Sequence, residues 1–294
     1  MIDLHTHSRA SDGNLTPSAL VAEAAKKGLT ALALTDHDTV SGLEEGAIAA
    51  EKLGLRFIRG IELEITYGPQ TPQNLRAGGE FHLLGLGLKT PSPGLKDAFA
   101  ELARFRIERN QEIIEAMNEA GIPASFEEIQ ALVFESPTNE KKNFRAYIGR
   151  PHFALFLVKR KIVKNIEQAF TRYLGRGRPF YRPKIGLEFE RATELIHESG
   201  GISVLAHPMS LYVGWGRLPD FIKNLKERGL DGLEAWHPAA KVSSCRRLEE
   251  LGKTLNLRIT AGSDFHGINR PDRKLGITAG GKKMDESFLE ALDI

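Results

Sequence analysis

The chain opens with His5, His7 and Asp12 inside one short stretch, IDLHTHSRASDG (residues 2–13). Side chains two apart on an extended backbone share a face, so both imidazoles can reach one cation. A lone His-x-His pair also arises by chance and would be weak evidence. The same residue types recur, however, at Asp36-His37, Glu62, His82, His207 and Asp264-Phe265-His266. Nitrogen and carboxylate donors without sulfur suit manganese, iron or zinc in a reactive site rather than a closed structural zinc. These donors outnumber the needs of one ion, which predicts two or three divalent ions bridged by carboxylate or hydroxide. Such a cluster acidifies bound water into a nucleophile and clamps phosphoryl oxygens during in-line displacement.

Other site chemistries lack their motifs. The chain has no Gly-x-Ser-x-Gly, no Gly-x-x-x-x-Gly-Lys-Ser/Thr and no Gly-x-Gly-x-x-Gly opening a helix, and the run Gly85-Leu86-Gly87 lacks its third glycine. The single cysteine, Cys245, sits in the helical run KVSSCRRLEELG without a base nearby in sequence and reads as a reduced, inert thiol. His197 falls inside a helix and takes no role. Asp36 and His237, at strand ends like the candidate ligands, are the candidate catalytic groups, with His237 as acid for a leaving oxygen. His82 also admits the plainer reading of a core or edge histidine.

A strand–helix alternation must position these residues. The pattern predicts strand Ile2–Thr6, a helix from Thr16-Pro17 to Gly28, strand 29–35, helix Leu43–Leu53, strand Arg56–Ile61 ending at Glu62, and strand Phe81–Leu88. After residue 186 the rhythm resumes with strands Ile202–Ala206, Asp231–Trp236 and Arg258–Ala261 between helices. Reactive residues fall repeatedly at strand carboxyl ends, where barrels and open α/β sheets place their sites. Between them, helical patterns cover Leu95–Ala120, Ser125–Val133, Pro151–Lys161 and Asn165–Leu174. The predicted organisation is a discontinuous α/β barrel (1–92 and 186–294) with an all-helical insertion (93–185) acting as a substrate lid.

With 294 residues, 27% charged and 41% hydrophobic, the composition is that of a soluble globular protein with ample core. No apolar run reaches membrane-spanning length, and the opening has neither the charge pattern nor the cleavage-like site of a leader, so a cytoplasmic protein without an obligate protein partner is expected. The net charge is only +2, yet Lys141–Lys184 holds 13 basic residues against one acid, Glu167. Such a block attracts an anion, or is simply a solvated helical face. Inside it, Gly149-Arg150-Pro151-His152-Phe153 opens a helix whose N-terminus, flanked by Arg150 and His152, would suit a phosphate. A helix turn with a buried histidine is the alternative.

Taken together, HTHSRASDG (5–13), TDHD (35–38), GIELE (60–64), EFHLLGLG (80–87), LAHP (205–208) and GSDFH (262–266) resemble the PHP family of metal-dependent phosphoesterases, named for its polymerase and histidinol-phosphatase members. The resemblance implies a distorted (β/α)7 barrel with a trinuclear metal centre at the strand carboxyl ends. It implies His5, His7, Glu62 and Asp264 at one metal, Glu62 bridging to a second held by His82 and His207, and Asp12, His37 and His266 at the third. The helical insert and GRPHFA (149–154) are similar to the branch that hydrolyses nucleoside 3′,5′-bisphosphates and trims short oligoribonucleotides from the 5′ end, with Arg150 and His152 contacting a second phosphate. A small non-nucleotide phosphomonoester such as histidinol phosphate, or a barrel that binds metal or nucleic acid without catalysis, are the competing readings. The resemblance is incomplete where Met209-Ser210 follow Pro208, since members of that family usually carry an arginine two residues after the proline. The loop 68–79 is also longer than usual, which would reshape the pocket mouth.

Overall fold

The computed structural model describes residues 1–67, 79–133, 148–292 and 294. The polar loop 68–79, apart from Gly79, thus lies outside the described residues, as do Lys141, Lys142 and Arg145 of the basic block. Among the described residues, seven strands form one sheet in chain order: β1 (Ile2–Asp3), β2 (Ala31–Leu34), β3 (Arg56–Glu64), β4 (His82–Leu86), β5 (Ile202–Leu205), β6 (Gly232–Trp236) and β7 (Arg258–Ala261). β1, β2 and β3 run parallel, as do β5, β6 and β7. The two ends of the sheet meet beyond the regular strands, where Thr6 bridges Phe265, the His7 N–H donates to Phe265 O at 2.9 Å, and the Asp264 N–H donates to His5 O at 2.9 Å. The result is a nearly closed, distorted (β/α)7 barrel. Every residue of the apolar β2 is buried, as expected of a parallel strand covered on both faces.

The helices begin where their chemistry dictates. In α1 (Pro17–Lys26), Thr16 accepts from the Ala19 N–H and Pro17 needs no partner for a missing donor, while Leu20, Val21 and Ala24 pack inward. Gly54, at φ 65°, closes α2 (Leu43–Leu53) in the left-handed conformation that glycine adopts without strain. The outer layer is completed by α7 (Phe189–Glu198), α8 (Leu218–Glu227), α9 (Val242–Thr254) and α10 (Ser287–Glu290).

Strand β4 differs from the rest, being antiparallel to both β3 and β5. Its first residue, His82, therefore stands at the same end of the barrel as the last residues of the parallel strands, paired with Glu64. This pairing also explains why β3 continues past Ile61 to Glu64.

The chain divides into two compact units, 1–99 with 186–294, and 100–185. α3 (Pro93–Glu119) contributes to both. The second unit holds α4 (Phe126–Val133), α5 (Arg150–Lys159) and α6 (Ile166–Ala169), and it has its own core of Ile113, Met117, Phe126, Phe153, Phe156 and Phe180. The helix expected over Asn165–Leu174 starts at an Asn165 cap but passes after Ala169 into a π turn, Phe170–Leu174. Among the described residues, no helix is long and apolar enough to cross a membrane.

Candidate metal centre

Strand ends and the loops that follow them bring His5, His7, Asp12, His37, Glu62, His82, His207, Asp264 and His266 into one cluster. Its hub is Glu62, only 1% exposed. Glu62 Oε1 lies 2.9 Å from both His82 Nδ1 and His207 Nε2. Glu62 Oε2 lies 3.3, 3.2 and 3.1 Å from His5 Nε2, His7 Nε2 and His37 Nδ1. The two imidazoles of the first strand face one way, with His5 Nε2 and His7 Nε2 3.1 Å apart. Donor atoms within 4.8 Å of one another form three groups: His7, Asp12, His37 and His266; His5, His7 and Asp264; His37, Glu62 and His82. His207 joins the cluster through Glu62 and through His82, whose Nδ1 is 3.3 Å from His207 Nε2.

These residues fit divalent cations. His7 Nδ1, Glu62 Oε2 and His266 Nε2 are buried and take part in no hydrogen bond, although Glu62 Oε2 sits near three imidazoles and His266 Nε2 lies 3.1 Å from Asp12 Oδ1. A buried polar atom left without a partner costs about 1–3 kcal/mol, and a cluster of them made of nitrogen and carboxylate oxygen is a ligand set. Two of the six non-glycine residues with positive φ among the described residues, His207 (φ 28°) and Asp264 (φ 54°), belong to the cluster, each such conformation costing about 1–3 kcal/mol.

Electrostatics bind the cluster into one unit. Burial alone would push Glu62 up, but His37, His5 and His82 hold it well below the ordinary carboxylate range. Asp264 is likewise held low against burial by His237 and His7, and Asp12 by His266 and His37. Burial disfavours protonation of His7, yet Asp264 and Glu62 outweigh it and raise its pKa to about 9. His5 and His82 are raised in the same way by facing glutamates, against burial. At His37 burial prevails instead and takes the pKa well below the usual imidazole value.

Supporting residues surround the hub. Glu234, on β6 and 1% exposed, was not singled out by sequence. Its Oε1 lies 2.9 Å from His5 Nδ1, and its Oε2 accepts the His207 N–H at 2.7 Å. One carboxylate thus directs His5 Nε2 toward the centre and secures the strained backbone of His207. A single acid inside the otherwise apolar strand GLEAW was the available signal. Gly262 makes this packing possible, since a Cβ there would collide with His5 Cβ and Glu234 Oε1. Glu234→Gln should weaken metal affinity about 10- to 100-fold by loosening a carboxylate–histidine support. Competition against a chelator measures this, and unchanged affinity would remove Glu234 from the support.

Asp36 accepts from the Ser8 N–H (2.8 Å), Ser8 Oγ (2.6 Å) and Ser11 Oγ (2.6 Å), so its carboxylate is occupied in shaping the loop between His7 and Asp12. Its geometry is that of a positioning group. At His237, Nδ1 accepts the Ala239 N–H at 3.2 Å, which leaves the proton on Nε2, itself 3.4 Å from Asp264 Oδ2. Burial lowers its pKa. With Nδ1 engaged and its charged form disfavoured by burial, His237 can present an Nε2–H. It lines a pocket of about 230 Å³ together with Glu62, His82, His207 and Asp264. Arg150 and His152 belong to the helical unit. There His152 Nδ1 accepts the Gly149 N–H at 2.8 Å, closing the first turn of α5, and the Arg150 guanidinium lies 5.5 Å from the centre of the Tyr181 ring.

Comparison with known proteins adds an independent line. The PHP domain family matches residues 3–150. A 5′-3′ exoribonuclease of Haemophilus influenzae is 33% identical over 264 residues, covering 90% of this chain and 89% of the relative. A 3′,5′-nucleoside bisphosphate phosphatase of Chromobacterium violaceum is 31% identical, covering 94% and 91%. The solved structure of a Bifidobacterium adolescentis protein, assigned as a metal-dependent phosphoesterase, superposes with a TM-score of 0.79 at 26% identity, covering 99% of this chain and 94% of that one.

Proposed function

This chain belongs to the PHP domain family and is a metal-dependent phosphoesterase. From that premise we propose that it hydrolyses phosphate esters of nucleotides: the 3′-phosphate of nucleoside 3′,5′-bisphosphates, short 5′-phosphorylated oligoribonucleotides, or both. The observation that carries the metal-dependent hydrolysis in this reading is Glu62, buried within 3.3 Å of five imidazole nitrogens and hydrogen-bonded through only one of its oxygens.

His5, His7, Glu62 and Asp264 would hold one ion, Glu62, His82 and His207 a second, and Asp12, His37 and His266 a third. Their mixed nitrogen and oxygen character suits manganese, iron or zinc. Once bound, such ions lower the pKa of water and take up charge on phosphoryl oxygens. The protein's own share is orientation. Glu62 gives one oxygen to each side of the cluster, Glu234 fixes His5, and Asp36 holds the loop carrying Asp12. His237 offers its Nε2–H to an oxygen in the pocket.

The names of the two curated relatives support a substrate with two phosphates or a short strand. Arg150 and His152 are our candidates for the second phosphate. Arg150→Ala should then raise KM for adenosine 3′,5′-bisphosphate about tenfold or more, the loss expected of a charge-assisted contact, while hardly changing it for a monophosphate. Equal effects on both substrates would remove that role. The buried Cys245 is in keeping with a cytoplasmic location.

The deciding assay compares phosphate release from adenosine 3′,5′-bisphosphate and from histidinol phosphate in Mn²⁺. A kcat/KM at least about tenfold higher for the nucleotide is expected, a gap of about 1.4 kcal/mol in transition-state binding. The reverse order would replace the nucleotide by a small phosphomonoester.

A further inference from the structure

Asp264 separates two environments. Its Oδ1 faces the imidazoles, 3.4 Å from both His7 Nε2 and His266 Nδ1. Its Oδ2 faces the pocket, 3.0 Å from Arg270 Nη1, 3.4 Å from His237 Nε2 and 4.0 Å from Arg273 Nε. Both arginines line the pocket and come from the loop after β7.

A turn sets their spacing. The Arg273 N–H donates to Arg270 O at 3.0 Å, with Pro271 at the second position, where its fixed φ suits a tight turn. Arg273 is the unusual member. Its side chain is 10% exposed, and among the described residues its Nε makes no hydrogen bond, having only two longer ion pairs, to Asp272 Oδ2 at 3.5 Å and to Asp264 Oδ2 at 4.0 Å. A buried guanidinium N–H whose carboxylates stand too far or too poorly aligned to accept its hydrogen is costly, so a closer acceptor is expected. One carboxylate oxygen cannot serve both forks, whereas a phosphoryl group presents several oxygens that match planar guanidinium donors. The turn after β5 brings no cation of its own, because Met209 and Ser210 follow Pro208.

We propose that the Arg270–Arg273 turn is a phosphoryl-binding cradle, which grips the phosphate entering or leaving the pocket beside Asp264. The proposal rests on the phosphoesterase reading and names the residues that recognise the group being cleaved. Asp264 then has two duties on its two oxygens: Oδ1 toward the metal ligands, and Oδ2 as the resting acceptor that a phosphate displaces.

Calorimetric titration of the metal-loaded protein with inorganic phosphate tests it, with metal content measured on every variant. Arg273→Ala should weaken phosphate binding about 10- to 100-fold with full metal content, the loss expected of a buried charge-assisted hydrogen bond. Arg273→Lys should fall between, because a point charge replaces a fork. Arg270→Ala, at a 40% exposed side chain, should lose several-fold and serves as the variant least able to disturb folding. Phosphate affinity within twofold of wild type in both alanine variants would overturn the cradle. So would loss of metal in step with loss of phosphate, which would make the arginines supports of Asp264. If wild-type protein binds phosphate through these arginines yet turns over no phosphoester, the cradle stands and the enzymatic reading falls.

Discussion

Glu62→Gln should reduce kcat in Mn²⁺ by about 10³-fold or more, while far-ultraviolet circular dichroism stays that of the folded barrel. The size follows from what this one carboxylate does. Its two oxygens approach His82 and His207 on one side and His5, His7 and His37 on the other, all within 3.3 Å. An amide keeps the shape but loses the charge and puts an NH₂ donor where a ligand atom is required. Two ions that share a bridging carboxylate lose affinity together, and metal ions in such sites supply several kcal/mol of transition-state stabilisation, each about 1.4 kcal/mol being a factor of ten. The fold should persist because Glu62 sits in a strand paired on both sides, and its neighbouring histidines can give up protons when their counter-charge is removed. Metal content by elemental analysis and turnover by phosphate release check the two halves separately. Near-normal turnover would mean that Glu62 is not the bridge.

Much of this arrangement was legible in the chain because it is local. The period-two spacing of His5 and His7 fixes a shared face wherever the segment is extended, and the two Nε2 atoms do meet. Strand–helix alternation with reactive residues at strand ends already implied a barrel with one busy rim. What stayed hidden depends on partners far away in sequence. Alternation gives a strand its faces but not its direction, so the reversal of β4, which brings His82 to the rim from the start of its strand, could not be read. Glu234 looked like a stray acid in a buried strand, because its meaning lies in His5, 229 residues away, and in the amide of His207. Asp36 was visible as a carboxylate beside a histidine, but nothing in the sequence said that two serines of the opening loop would claim it. Arg270 and Arg273 drew no notice, since two arginines around a proline are ordinary until a pocket is known to face them.

Lowering the pH from 8 to 6 should weaken metal binding by about 10²-fold for each histidine that must shed a proton, the largest condition-dependent effect expected of this protein. A ligand must be neutral imidazole, so protons and cations compete for the same nitrogens. Without a bound cation, burial is overcome by Asp264 and Glu62, which push the His7 pKa up to about 9, and His5 and His82 are raised as well. Both pH values lie below the His7 pKa, so that competition operates at full slope across the interval. Stability without metal has the opposite sign. A histidine whose folded pKa exceeds its unfolded value near 6.5 contributes stability that is complete below about 6.5 and lost as pH rises through about 9. Chelated protein should therefore melt at a lower temperature at pH 9 than at pH 6.5, whereas the gain in melting temperature on adding Mn²⁺ should grow with pH. Titration calorimetry in two buffers of different ionisation enthalpy counts the protons expelled, and at least one is expected at pH 7 for each ion held by a raised histidine, His5 and His7 at one site and His82 at another. If metal affinity does not change between pH 6 and 8, the raised histidines are not the ligands, and the donors must be sought among the carboxylates and the imidazoles already neutral, such as His37.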